Sequence, residues 1–187
     1  MDYKEKSMLA YEKACDMVKL LFSFMNDKKL VKSGFDVTKA LNNFDVLVQY
    51  SLLEVALSDQ KFDVNELRFI SKFHKFYSLM DYLNDLGFKD VTWQKLYNIE
   101  FKTLASIMGK IRPHVQLINK DFVEYISLID AYTPSHDYAK ELYDEMITVI
   151  SGVIISDRRW KHEEGSFVPL IIEAILLIRK KKKNIKK

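Results

Sequence analysis

Apolar residues recur along this chain at steps of three and four, the spacing of one helix face. Between residues 5 and 32 they fall at Ala10, Ala14, Met17, Val18, Leu21 and Met25, with Glu12, Lys13, Asp16 and Lys19 opposite, and Ser33 and Gly34 mark the stop. A second run over residues 38–58 carries Leu41, Phe44, Val48, Leu52, Val55 and Ala56 on one face. It holds little charge beyond Asp45 and Glu54, so it predicts a central, buried helix. The third, over residues 63–87, has an aromatic stripe of Phe69, Phe73, Phe76, Met80 and Leu83 and ends at Gly87. Thr92 predicts the N-cap of a helix reaching Ile111, and Pro113 the first turn of another that ends near Tyr132. A sixth helix is expected over residues 137–156, with Leu142, Met146, Val149, Ile150 and Val153 inward. The seventh runs from Glu163 through Pro169 into a terminal lysine run.

Composition supports an all-α, single-domain bundle of about seven helices. Five glycines and three prolines in 187 residues are too few for the turns of a many-stranded β architecture or for most phosphate-cradling loops, while 48% hydrophobic residues supply one sizeable core. The chain divides into an N-terminal amphipathic helix (1–35), a helical domain (36–178, with halves 36–111 and 113–178) and a basic disordered tail (179–187).

The formal charge of +3 belongs to that tail. Residues 179–187 read R-K-K-K-K-N-I-K-K and hold seven of the 29 basic residues, leaving 22 against 26 acidic and a body of −4. Such a body is poorly suited to nucleic acid, whereas the tail, from Arg179 to Lys187, suits an anionic membrane surface or an acidic protein partner. The single Cys15 forms no internal disulfide, and Asp2 and Glu5 stand where a secretory leader would be basic. Both features predict the cytoplasm, with peripheral contact at the inner face of the membrane through the tail. The apolar stretch at residues 174–178 is far short of the roughly 20 residues that span a bilayer.

The most specific signal is a duplication. Residues 58–66 read S-D-Q-K-F-D-V-N-E and residues 156–164 read S-D-R-R-W-K-H-E-E, each with Ser-Asp, an aromatic and a Glu seven after the Asp. Val55-Ala56-Leu57 precedes one copy and Val153-Ile154-Ile155 the other, and Phe69 aligns with Phe167 at the same offset of 98 residues. The pattern predicts two helix-corner-helix units related by an internal two-fold pseudo-repeat, with Phe62 and Trp160 plugging the corners. In the first copy Asp63 and Glu66 form a capping-box pattern, worth about 0.5 to 2 kcal/mol. In the second, Lys161 replaces Asp63 while Asp157 and Glu164 persist. Carboxylates converging across a tight corner are also what a hard divalent cation takes as ligands.

The motif D-x-x-apolar-x-x-x-E between two helices, once in each half of an all-helical domain, resembles the tellurite-resistance TerB family. The resemblance covers roughly residues 38–178. It implies a seven-helix bundle with two-fold internal symmetry and a non-enzymatic stress-response or adaptor role with protein partners. It also implies a divalent-metal site, for calcium or magnesium, lined by Asp59, Asp63 and Glu66 in the first copy and by Asp157 and Glu164 in the second, where the adjacent Glu163 is a further candidate ligand. The glycine usual after the family's Asp is replaced by Gln60 and Arg158. The first copy sums to −2 and the second to zero, which favours the first as the cation site.

Other chemistry is sparse. His136-Asp137 matches the doublet of HD-type metal-dependent phosphohydrolases, the alternative enzymatic reading, although Ser135 and Asp137 at a helix start are also ordinary capping residues. None of the four histidines has Glu three residues earlier, as ferritin-like di-iron sites require. G-x-S-x-G and the glycine-rich nucleotide motifs are missing.

Overall fold

The computed structural model describes residues 2–31, 34–58, 63–156 and 168–185, and the side chains of all of these except 155, 156 and 181–185. These residues form eight helices: α1 (Tyr3–Asp27), α2 (Val37–Leu57), α3 (Val64–Ile70), α4 (Leu79–Asp85), α5 (Trp93–Leu96), α6 (Phe101–Tyr132), α7 (Tyr138–Ser156) and α8 (Leu170–Ile185). No strand occurs among them. The all-α bundle read from periodicity is therefore the fold, and among the described residues no helix is long and apolar enough to cross a membrane.

Helix α2 is the axis. Val46, Leu47, Val48, Leu52 and Leu53 are all buried, so it is covered on every side along its middle. Each such side chain, moved from water into a packed core, contributes about 1.5 to 3 kcal/mol. Helix α1 packs antiparallel to α2, as Tyr11 on Asp45 and Phe22 on Phe35 show. It is also antiparallel to α7: the Ser7 hydroxyl donates to the Thr148 carbonyl and Lys13 reaches Glu145. Phe44 stacks on Phe122 while Glu54 meets Arg112, so α6 also opposes α2. Arg179 over the Tyr143 ring sets α8 against α7. Hence α1, α6 and α8 run one way and α2 and α7 the other. The N-terminal helix, expected as a separate region, shares the common core through Ala14, Val18 and Met25.

Several boundaries differ from the expectation; the helix expected from Thr92 to Ile111, for one, is broken into α5 and the start of α6. The helix anticipated over residues 63–87 is two, α3 and α4, joined by residues 71–78. Its apolar stripe is nevertheless real, for Phe69, Phe73, Met80 and Leu83 are buried. The interruption comes from α2, whose polar side chains capture the backbone of the joining segment. Pro113, expected to open a helix, lies inside α6, so the proposed junction between the halves falls within one continuous helix. The stripe Leu104, Met108, Ile111, Val115, Ile118 and Phe122 carries packing through this point. Pro113 faces solvent, where water can satisfy the carbonyl that loses its amide. Finally, the expected disordered tail is helical as far as Ile185, because α8 continues through the lysine run.

Two ends follow from this topology. At one, which we call the corner end, α2 stops at Leu57, α3 begins after Asp63, α7 stops at Ser156 and α8 begins at Leu170. The other, the lysine end, gathers the α1–α2 turn, the α6–α7 turn and the C-terminus of α8.

Candidate functional site

The described part of the first acidic corner is a helix start. Asp63 is the N-cap of α3 and accepts the Asn65 amide at 2.6 Å, while Glu66 accepts the Asp63 amide at 2.9 Å. Glu66 is buried. The capping box read from sequence is present, and it commits one oxygen of each carboxylate to the backbone. Asp59, Asp157, Glu163 and Glu164 lie outside the described residues, as do Phe62, Trp160 and His162. Among the described residues no three His, Cys, Asp or Glu side chains come together as a metal-binding group. Asp63 and Glu66 form the cap of α3.

The flanks of the two copies share the corner end. A Cβ on Gly152 of α7 would lie 1.8 Å from the Ser7 hydroxyl oxygen and 3.3 Å from the Phe69 ring, so α1, α3 and α7 meet with almost no spare space. On the other side of α2, the Leu170 amide donates to Glu54 Oε2 at 3.1 Å and the Ile171 amide to Ser51 Oγ at 3.1 Å. These bonds satisfy two of the orphan amides of α8 from another helix, and a carboxylate suits a helix N-terminus electrostatically. Burial pushes the Glu54 carboxyl above its ordinary range, opposed by the Leu170 hydrogen bond and by Arg112.

The middle of α2 carries a second polar constellation. Asp45, fully buried, accepts the Tyr11 hydroxyl at 2.6 Å and the amides of Lys75, Phe76 and Tyr77 at 2.8, 2.5 and 3.0 Å. The Cys15 thiol points to the same carboxylate at 3.8 Å. Gln49, one turn on, accepts the Leu79 amide at 3.0 Å and donates to the Tyr77 carbonyl at 3.0 Å. Together they take over the amides that a continuous helix would have used internally, which explains the break between α3 and α4. Burial pushes the Asp45 carboxyl up, while the hydrogen bonds from Tyr11 and the three amides oppose it. Every one of these neighbours is a donor, so the pocket accommodates the carboxylate. Burial first, then the adjacent Asp45 charge, raises the Tyr11 phenol and the Cys15 thiol.

The periodicity reading treated Asp45 and Glu54 as the rare charges of a buried helix without assigning them work. That rarity was the available signal, because a charge on an all-apolar helix must find partners.

The His136-Asp137 doublet sits in the α6–α7 turn. Asp137 accepts the Lys140 amide at 3.1 Å, the capping role its position predicts, and buried Asp130 accepts the Tyr138 amide. His136 Nε2 lies 2.7 Å from Glu141 and its ring tilts over Tyr138 at 4.2 Å. His74 Nδ1 lies 2.7 Å from the Ser71 carbonyl, and His114 is exposed on α6. No protein family, curated protein or solved structure matches this chain.

Proposed function

We propose that the chain is a non-enzymatic, TerB-like adaptor that binds protein partners in the cytoplasm. Its working end in this reading is the corner end, where α2 stops at Leu57 and α7 at Ser156. One observation carries it: α2 and α7 run parallel, so Ser58 and Ser156, which open the two acidic segments, stand at the same end of the fold. A hard cation needs carboxylates from more than one segment, and shared placement favours that. Calcium or magnesium would be held by Asp59, Asp157, Glu163 and Glu164, with Asp63 and Glu66 keeping the corner in shape.

Calorimetric titration with each metal, alongside thermal unfolding, tests this in the parent chain and in an Asp59→Asn, Asp157→Asn variant. Neither residue belongs to the capping box. Saturable heat and a raised melting temperature in the parent, both lost in the variant, support the cation; no heat in either chain, or identical behaviour of the two, removes it.

A further inference from the structure

The lysine end has a composition that neither the periodicity nor the motif accounts for. Lys28 and Lys29, both exposed, close α1, and Lys39 is exposed in the first turns of α2. Helix α8 arrives at the same end of the fold, since Arg179 rests on Tyr143 near the start of α7 and six more helical residues follow, four of them the run K-K-K-K at 180–183. Of the acids at this end, Asp36 caps α2, Asp137 caps α7, Glu141 pairs with His136 and Asp144 with Lys140, leaving Asp27 and Glu124 against the cluster. Apolar groups share the surface. Leu20 is 72% and Tyr132 52% exposed. They border a groove of about 620 Å³ lined by Met17, Leu20, Leu21, Phe24, Thr133, Tyr138 and, as its one charged group, Glu141.

We infer that this end is a docking surface for an anionic lipid bilayer. Basic side chains near such a surface are attracted to it, and exposed Leu and Tyr suit the boundary between headgroups and acyl chains. The same apolar groups give no advantage against a nucleic-acid backbone. Docking by this end leaves the start of α8, with the ends of α2 and α7, away from the lipid by about the length of α8, 16 residues or on the order of 24 Å.

Co-sedimentation of the full chain with phosphatidylcholine vesicles, with and without phosphatidylserine, tests the inference. Binding is expected only with phosphatidylserine and is expected to fall steeply with salt. Lys28→Glu with Lys29→Glu should weaken it about tenfold or more, and deletion of residues 181–187 should do the same. Lys102→Glu with Lys110→Glu, an equal charge change on exposed residues of the opposite half of α6, should leave it as in the parent. Equal losses from the two pairs, no dependence on phosphatidylserine, or binding of single-stranded DNA without vesicle binding would each overturn the assignment.

Discussion

The Tyr11 hydroxyl donates to the Asp45 carboxylate at 2.6 Å and accepts the Lys75 amide at 2.8 Å, so one bridge ties α1, α2 and the segment between α3 and α4. Asp45→Asn would place an NH2 donor among donors. It should cost about 3 kcal/mol by urea unfolding, and Tyr11→Phe about 1 to 2. Amide exchange should accelerate at residues 75–77 before it does in α2. A change below about 1 kcal/mol for Asp45→Asn would mean that the anchor is dispensable.

Glu54 gives a pH-dependent result with a definite sign. Its carboxyl is raised in the fold by burial, so its contribution to stability is full below the ordinary glutamate value of about 4.3 and is lost as pH rises through the raised value. Glu54→Gln, permanently neutral and of the same shape, should therefore be more stable than the parent at neutral pH. The gap should close near about pH 4. Glu54→Ala instead leaves the Leu170 amide without its acceptor and should cost about 1 to 2 kcal/mol at either pH. Thermal melts of the three chains at both pH values decide it; a gap that widens toward acid contradicts the linkage.

Gly152 is required by contact rather than by backbone conformation. Alanine there would drive a methyl into Ser7 and against Phe69, and overpacking of this kind costs about 1 to 3 kcal/mol. Gly109 is the internal control, because a Cβ there meets nothing within 4 Å. Gly109→Ala should hold or raise the melting temperature through helix propensity, while Gly152→Ala lowers it.

Alkaline unfolding should also be steep. Burial, helped by Glu54, pushes the Tyr50 phenol up to about 12, and the hydrogen bond to Asp85 pushes Tyr77 up to about 12. Stability from raised phenols is complete below about pH 10 and is lost as pH climbs through the raised values. Phenolate absorbance should lag behind that of the unfolded chain, and Tyr50→Phe should reduce the loss of stability over this range. Overlapping titrations of folded and urea-unfolded protein would count against it.

The buried faces were readable where the spacing was regular: the stripes on α1, α2 and α6 and the set Phe69, Phe73, Met80 and Leu83, with Phe76 only half-buried; the capping pair Asp63 and Glu66 was readable too. Boundaries were readable only where the signal was local. Gly87, with φ of 90°, ends α4 as expected, but Lys29 takes φ of 53° and ends α1 earlier than Ser33 and Gly34 led one to expect. At the other end of α1, Asp2 and Glu5 form a capping box whose signature is local and legible in the sequence.

Periodicity and composition alone determined that this chain is helical, which faces are buried and that α2 lies at the centre, because those properties depend on neighbours three and four residues away. Only the tertiary structure decided that Asp45 breaks a helix some thirty residues downstream, that Glu54 and Ser51 start α8, and that the α1–α2 turn, the α6–α7 turn and the C-terminus of α8 share one end. Each of these depends on which backbone amide or side chain a distant residue happens to meet once the helices pack. Spacing along the chain carries no record of that encounter.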